Sequence, residues 1–254
     1  MLTLVTAWYR VKNKFHNNEY TLWMDNLLNE NINCNIIIFT NIASVTEVIK
    51  YASEKIKIIL KEFEEFHCYS DKWISNHIKN LTLNQITCWE LNMIWNEKVS
   101  HVNDALCSKL FESEYYCYCD IGYFRNKEFN IVSWPCIEIL KTINNDKIYY
   151  GQVCHDNVIK HMCELYQSKL NLISQEIDPK QISVAGGFFL LNKSKIKWWF
   201  DKYYCILDAY WKNNYLVKDD QMIIFTAFLN NIEHFQLVKS TQINPWFVFQ
   251  YFLK

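Results

Sequence analysis

The chain has 254 residues, of which 50% are hydrophobic and 17% are aromatic, and this composition excludes an intrinsically disordered protein. The formal net charge is -1, so the chain lacks the basic surplus that a nucleic-acid-binding protein needs, and we expect no nucleic-acid partner. No apolar run reaches the ~20 residues of a membrane-spanning helix, and no charged segment precedes the first apolar run. Ten cysteines without paired C-x2-C spacing favour reduced thiols and a cytoplasmic protein.

The first half of the chain alternates short apolar runs with segments of helical periodicity. The runs predict strands at Leu2–Trp8, Cys34–Thr40, Lys55–Leu60 and Tyr115–Ile121. The periodic segments predict helices at Glu19–Asn29, Ser44–Ser53, Trp73–Lys79 and Thr87–Phe111. Ser44 is the expected cap of its helix, with Glu47 in the capping-box position. This alternation predicts a single α/β domain with a mainly parallel sheet flanked by helices, which binds ligands at the carboxyl ends of its strands.

The second half of the chain continues with longer helices and one glycine pair. Strands are predicted at Lys147–Gln152 and Ile182–Leu191, and helices up to about Leu172, at Ser194–Trp211 and at Asp219–Leu229. The segments Phe235–Val238 and Trp246–Leu253 carry no clear pattern. Gly186 and Gly187 are two of only four glycines, and they interrupt the second strand. Glycine in a strand marks a bulge or a close approach to the backbone, either by a ligand or by a neighbouring helix.

A carboxylate follows the fourth predicted strand in the segment Tyr118-Cys-Asp120-Ile-Gly122-Tyr-Phe-Arg125. An acid at the carboxyl end of a parallel strand is suited to hold Mg²⁺ or Mn²⁺, which takes oxygen ligands and substrate phosphates. Arg125, one of two arginines, is able to contact a phosphate with two hydrogen bonds. The alternative interpretation of Asp120 is a turn residue in a structural ion pair.

Two further segments contain candidate functional residues. Asp219 and Asp220 open a predicted helix, followed by Gln221, and one carboxylate is either an ordinary helix cap or a general base in a cleft. Lys98 follows Trp95-Asn-Glu on the long helix, where it either reaches a phosphate or belongs to a solvated face.

Seven segments in order resemble the WlaTC/HtrL-type glycosyltransferase family over roughly residues 2–230. They are Thr3–Tyr9, Tyr20-x-x-Trp23, Asn35–Thr40, Trp95–Lys98, Tyr118–Arg125, Ala185–Phe189 and Asp219–Gln221. The resemblance implies a GT-A-like (Rossmann-like) fold that binds a nucleotide sugar. Similar proteins occur in bacterial surface-glycan loci and in AT-rich large DNA viruses.

The resemblance also implies a role for each matching residue. Asp120 would bind Mn²⁺ or Mg²⁺ as part of a D-x-D motif, but Tyr118 replaces the first aspartate, so that another ligand such as His234 is needed. The remaining implied sites are nucleotide contacts with an aromatic ring for base stacking (Thr6, Ala7, Trp8, Tyr9), diphosphate contacts (Lys98, Arg125), close sugar contacts (Gly186, Gly187) and the catalytic base with its neighbour (Asp219 or Asp220, Gln221).

The expected activity is transfer of a sugar from a nucleoside diphosphate sugar, most simply a UDP-sugar, to a hydroxyl of a glycan or protein acceptor. Residues 1–125 would form the nucleotide-binding part and residues 126–254 the acceptor and catalytic part. A homodimer and a location in the host cytoplasm or a viral factory belong to the same hypothesis. The alternatives are a non-catalytic carbohydrate-binding or assembly protein that retains the fold, and another nucleotide-sugar-processing enzyme.

Overall fold

One mixed sheet forms the centre of the computed structural model, which describes residues 1–29, 31–126, 131–167, 177–178, 180, 183–240 and 243–254. Its strands are β1 (Leu2–Trp8), β2 (Asn35–Thr40), β3 (Ile56–Leu60), β4 (Tyr115–Cys119), β5 (Ile148–Gln152), β6 (Val184–Asn192) and β7 (Phe235–Val238). The strand order is β3-β2-β1-β4-β6-β5-β7. Neighbouring strands are parallel except where β6 pairs with β4 and with β5.

Both faces of the central strands are covered, which explains their continuous apolar sequence. Every residue of β1 is buried, and in β2 only the first residue is partly exposed. Alternate side chains enter two different cores, with Val5 and Ile37 on one face and Leu4 and Ile36 on the other. The predicted α/β fold with a mainly parallel sheet is therefore confirmed.

The helices pack on both faces of the sheet. They are α1 (Asn17–Leu27), α2 (Val45–Val48), α3 (Lys72–Lys79), α4 (Trp89–Ser108), α5 (Ile137–Thr142), α6 (Asp156–Gln167), α7 (Lys193–Lys212), α8 (Asp220–Asn230) and α9 (Phe249–Phe252). The long helices α4 and α7 pack against each other and against α8 on the face that contains Val5. Within the described ranges, every helix is too short or too polar to cross a bilayer.

The predicted helix Ser44–Ser53 is wrong in its length and its cap. The α-helical part ends at Val48 and continues only as a 3-10 turn. Ser44 forms no capping bond; its hydroxyl accepts a hydrogen bond from the backbone N–H of Arg10 at 2.8 Å. Glu47 accepts a hydrogen bond from the indole of Trp8 at 3.0 Å. Tertiary contacts with the end of β1 thus use the two side chains that the local pattern assigned to capping.

Other predicted boundaries differ by a few residues, and the tail gains structure. Phe235–Val238 is the edge strand β7, while the segment from 245 to 252 forms a short 3-10 helix followed by α9. The helix α5 was not predicted. The helix predicted up to about Leu172 is described as far as Gln167, and its remainder, like Ile182, lies outside the described residues.

The strand β6 runs antiparallel to its neighbours, and this direction positions the glycine pair. It stays one strand through Gly186 and Gly187, so the predicted break of the strand is wrong. The register with β5 shifts there, however, because Tyr150 pairs with Phe189 and Gly151 with Ala185, which confirms the predicted bulge. In the ladder Cys119 lies opposite Phe188, and the N–H of Asp120 donates to the carbonyl of Gly187 at 2.8 Å. Because β6 begins where β4 ends, both glycines lie beside Asp120 at the carboxyl edge of the parallel strands.

A buried carboxylate fastens α4 to the loop after β3. The Glu97 side chain is fully buried and its Oε1 lies 2.7 Å from Nζ of Lys61. The backbone N–H groups of His67 and Cys68 donate to the same carboxylate at 2.9 and 3.0 Å. Glu97 therefore orders the loop that follows β3 and fixes α4 against it.

We expect Glu97→Gln to lower the free energy of unfolding by about 3 kcal/mol, since it leaves a buried ammonium short of one counter-charge. Urea denaturation followed by circular dichroism measures the change. Glu64→Gln, at an exposed position in the same loop, is the control and should change stability by less than about 0.5 kcal/mol. Equal stability of the two variants would contradict the buried network.

Candidate active site

A cavity of about 410 Å³ opens at the carboxyl edge of the parallel strands. It brings together all predicted site residues except Thr6 and the suggested metal ligand His234, namely Ala7, Trp8, Tyr9, Lys98, Asp120, Arg125, Gly186, Gly187, Asp219, Asp220 and Gln221. Thr6 is fully buried within β1 and is not among the lining residues, which corrects its predicted nucleotide contact. Several strands, helices and loops meet at this sheet edge, so residues that are far apart in sequence lie together in the cavity wall.

The centre of the site is the ammonium group of Lys98. Its Nζ lies 3.0 Å from Oδ1 of Asp120 and 2.9 Å from Oδ2 of Asp220. It also donates to the carbonyl of Gly186 at 2.9 Å. An ammonium has three N–H groups, and each has an acceptor here. Lys98 is therefore not available as a free cation for a diphosphate, which corrects the sequence prediction, and it does not lie on a solvated helix face.

The charges in this cluster determine its protonation. Burial acts to lower the pKa of Lys98, but the carboxylates of Asp120 and Asp220 outweigh it and hold the pKa above its usual value. Burial raises the pKa of Asp220 to about 6, with Lys98 opposing the rise and Asp219 adding to it. Lys98 thus stays charged at neutral pH, while Asp220 titrates closer to neutrality than an ordinary aspartate.

The two glycines make room for the carboxylates of the protein itself. A Cβ at Gly186 would lie 2.6 Å from Oδ1 and 2.7 Å from Oδ2 of Asp220, which is too close for any side chain. A Cβ at Gly187 would lie 3.2 Å from Oδ2 of Asp120. The close approach predicted for a sugar is therefore made by Asp220 and Asp120, although both glycines also line the cavity.

Asp219 precedes α8 and presents an unsatisfied oxygen. It is the N-cap residue of α8, and the backbone N–H of Met222 lies close enough to its carboxylate to lower its pKa, so it keeps the position of a helix cap. Its Oδ2 lies 3.4 Å from Nζ of Lys218, and within the described part of the chain its buried Oδ1 has no hydrogen-bond partner. Burial raises the pKa of Asp219, against the opposing charge of Lys218. A buried acceptor at a cavity wall is suited to receive a hydroxyl hydrogen of a ligand.

The rings of Trp8 and Tyr9 do not offer open faces for stacking. Each residue is only 3% exposed. The Trp8 indole donates to Glu47, and the hydroxyl of Tyr9 donates to the carbonyl of Lys61 at 3.2 Å. The cavity wall instead contains half-exposed rings from other segments, which are Tyr20, Trp95, Trp246 and Phe247.

Two cations at the cavity contact aromatic rings. Nζ of Lys14 lies 4.6 Å from the ring centroid of Trp95, and burial lowers the pKa of Lys14. The guanidinium of Arg125 lies 4.6 Å from the ring centroids of both Phe15 and Trp23. These ring contacts help to hold both cations at the cavity wall, where the carboxylates of Asp219 and Asp220 also attract Lys14.

Sequence reasoning missed Lys14 and Trp246 and misplaced His234. Lys14 belongs to the basic stretch that follows β1, which was the available signal, whereas Trp246 lies in a tail without periodicity. His234 packs on Trp198 just before β7 and is not among the cavity residues, so it does not supply the second metal ligand.

The residues present do not fit a divalent metal at Asp120. Mg²⁺ needs oxygen ligands at about 2.0–2.1 Å, and the point where Asp120 and Asp220 converge holds the Lys98 ammonium instead. The carboxylate of Asp220 is also flush against Gly186. Among the described residues, no group of three or more His, Cys, Asp and Glu side chains is able to hold a metal ion.

Gly186→Ala is expected to lower the free energy of unfolding by about 1–3 kcal/mol, because the new methyl group forces Asp220 away from Lys98. Gly187→Ala is the matched control, since its methyl group meets Asp120 at 3.2 Å and needs a smaller adjustment. Urea denaturation measures both changes. A larger loss for Gly187→Ala than for Gly186→Ala would contradict the packing described here.

The stability of Asp220→Asn relative to wild type should depend on pH. Between about pH 4 and pH 6 the folded protein keeps the Asp220 proton that the unfolded chain has lost, so wild-type stability falls as the pH rises. Relative to wild type, the variant should therefore gain stability as the pH rises from about 4 to 7.

Denaturation of both proteins across this pH range measures the gain. Asp208→Asn, at an exposed position in α7, is the control and should show no such trend. A gain that does not change with pH would show that burial does not raise the pKa of Asp220.

Comparisons with solved structures concern the fold of the chain. A scan against protein-family models and a search of curated proteins find no match for this chain. Among solved structures, core-mannan synthase A (CmsA/Ktr4) from Aspergillus fumigatus in its Mn/GDP form has a TM-score of 0.52 at 9% identity, covering 89% of this chain and 69% of that chain. The galactosyltransferase LgtC in complex with donor and acceptor sugar analogs has a TM-score of 0.47 at 14% identity, covering 89% of this chain and 70% of that chain.

At such low identity the likeness concerns the fold alone. The mannan synthase, with the higher TM-score of the two, is the structure on which we base the assignment of the fold. The sheet flanked by helices on both faces, with its cavity at the carboxyl edge, has the GT-A glycosyltransferase fold.

Proposed function

We propose that this chain is a glycosyltransferase, which moves a sugar from a nucleoside diphosphate sugar to a hydroxyl of a glycan or protein acceptor. The observation that carries the proposal is the cavity at the carboxyl edge of a GT-A fold, where buried acids face half-exposed aromatic rings and two cations. Parallel sheets bind nucleotides and sugars at this edge. A UDP-sugar is the donor that we propose to test first.

The cations Lys14 and Arg125 are proposed to receive the diphosphate of the donor. Both contact aromatic rings, and Arg125 also donates to the carbonyl of Gly122 at 3.0 Å. The lowered pKa of Lys14 reflects burial, and an anion bound beside it would favour its charged form. Neutralising the leaving diphosphate is the main way in which the site would lower the barrier to transfer.

The aromatic wall is proposed to hold the base and the sugar. Trp95 and Trp246 line the cavity and are half-buried, so each has part of its ring surface open to a ligand. Aromatic rings stack on bases and on the apolar faces of sugars with little loss of conformational entropy. This role replaces the one that the sequence assigned to Trp8 and Tyr9.

The transfer itself breaks the bond between the anomeric carbon and the diphosphate oxygen and forms a bond to the acceptor oxygen. The acceptor hydroxyl must lose its proton, and we propose that the unsatisfied Oδ1 of Asp219 orients this hydroxyl. Asp220, with its pKa raised to about 6, is the neighbouring group able to take up a proton near neutral pH. Gln221 lines the cavity beside them and can donate to a sugar hydroxyl.

The remaining predictions extend this proposal. Membership of the WlaTC/HtrL-type family, a role in surface-glycan or glycoprotein synthesis, a viral setting, a cytoplasmic location and a homodimer all stay predictions. So does the division at residue 125, although both parts supply cavity residues. The metal-dependent form of the activity is left out, because the residues at Asp120 do not fit a divalent ion.

UDP and UDP-sugars should raise the melting temperature of the protein, since ligands that bind the native state stabilise it by mass action. Lys14→Met should weaken UDP binding about tenfold, because it removes one charge-assisted contact to the diphosphate. Isothermal titration calorimetry with UDP measures this loss. Lys212→Met, at an exposed position outside the cavity, is the control and should bind UDP like wild type.

The same samples distinguish the alternatives to a transferase. Binding of UDP-sugars with neither transfer nor hydrolysis would favour a carbohydrate-binding protein. Hydrolysis without transfer across a panel of acceptors would favour another nucleotide-sugar-processing enzyme. If no nucleoside diphosphate or nucleotide sugar binds, the proposed function fails.

A further inference from the structure

We infer that Lys98 is the resident cation of this site, standing where a divalent metal would otherwise bridge Asp120 and Asp220, so that the site binds its ligand without Mn²⁺ or Mg²⁺. This inference deepens the proposed function and depends on it only for the identity of the ligand. It makes Lys98 a positioning residue, which acts on the ligand through the two carboxylates that it holds.

The first support is that two carboxylates converge on one atom of Lys98. Oδ1 of Asp120 and Oδ2 of Asp220 lie 3.0 and 2.9 Å from one atom, Nζ of Lys98. The carbonyl of Gly186 completes the set at 2.9 Å. Two acids from different elements thus converge on one point, as they would around a metal ion, but the separations are those of hydrogen bonds to an ammonium.

The second support is the position that departs from the D-x-D pattern. Tyr118 replaces the first aspartate of that pattern, and its ring centroid lies 5.5 Å from Nζ of Lys98. An aromatic ring at this distance attracts an ammonium through its negative face, and it provides no oxygen ligand that would favour a metal. The ring of Tyr118 therefore favours a neighbouring lysine, whereas an aspartate at this position would favour a divalent ion.

The third support is that the Lys98 ammonium occupies the space between the two acids. Asp220 is 4% exposed and packed against Gly186, where even a Cβ would clash with both carboxylate oxygens. The Lys98 side chain is 5% exposed and comes from the middle of α4, so it cannot swing aside to admit an ion without disturbing the core. A divalent ion at Asp120 would meet the fixed positive charge of Lys98 at close range.

The arrangement leaves Asp120 with a different task. Its side chain is 38% exposed, and one oxygen is held by Lys98 while Oδ2 lies against Gly187 at the cavity wall. An oriented carboxylate at a cavity wall is a strong acceptor for ribose or sugar hydroxyls. Lys98 thus orients the carboxylate of Asp120 toward the ligand, and Asp120 accepts the hydrogen bond from the ligand hydroxyl.

The test measures metal binding directly. Electron paramagnetic resonance of Mn²⁺ in solution reports the free ion, so a protein that binds Mn²⁺ reduces the signal. We expect samples with excess wild-type protein to give the same Mn²⁺ signal as protein-free samples of equal UDP content, and EDTA to change the affinity for UDP by less than twofold. Loss of the Mn²⁺ signal, or a fall of about tenfold or more in UDP affinity on adding EDTA, would overturn the inference.

The variant Lys98→Met tests the bridging position itself. It keeps most of the side-chain volume and removes the charge, so two carboxylates converge on a vacated point, and we expect Mn²⁺ binding to appear. Lys14→Met is the matched control, because it removes a cavity charge that does not bridge carboxylates, and it should gain no Mn²⁺ binding. A folded Lys98→Met protein that binds no more Mn²⁺ than Lys14→Met would overturn the placement of Lys98 at a metal position.

The outcome is separable from that of the proposed function. If Lys98→Met does not fold, the wild-type titrations with Mn²⁺ and EDTA decide the question alone. If UDP does not bind under any condition, the proposed function fails, while the Mn²⁺ titration of the free wild-type protein still decides whether Asp120 and Asp220 hold a metal.

Discussion

The structure around the cavity depends on one buried ammonium. Lys98 joins α4 to the loop after β4, to the first residues of β6 and to the first turn of α8 through three contacts of 2.9–3.0 Å. A buried charge is costly unless every hydrogen bond is made, so these elements have little freedom to move independently. The adjacent Glu97 performs the same task for the loop after β3. Two neighbouring residues on one helix thus tie α4 to four other segments, three of which line the cavity.

Much of the fold follows from local pattern. The continuous apolar runs of β1 and β2 have the composition of strands that are buried on both faces, and their boundaries agree closely with the sequence. The direction of β6 did not follow, because parallel and antiparallel strands share the same side-chain period. The cap at Ser44 failed for a related reason, since Arg10 and Trp8 approach from the end of β1 and occupy the side chains that a local rule assigns to the helix.

The site was predicted as a set of residues more accurately than as a set of roles. Composition drew attention to the glycine pair and to Arg125, and all of them line the cavity. What each contacts depends on partners that sequence spacing does not reveal. Gly186 admits Asp220 rather than a ligand, and Lys98 holds two acids rather than a phosphate. Lys14 and Trp246 were missed because no local pattern distinguishes a surface lysine or a tail tryptophan from one that lines a cavity.

The spread of the cluster along the chain has a consequence for biosynthesis. Lys98 reaches its carbonyl partner 88 residues later, and Asp220 later still. During translation the first βαβ units emerge well before β6 and α8, so until then Lys98 has only Asp120 of its three partners. Contacts of such long range form late and slowly. A nascent chain of this protein would therefore acquire strands β1 to β4 before its cavity, and a product shortened before α8 would lack the acid that completes the cavity.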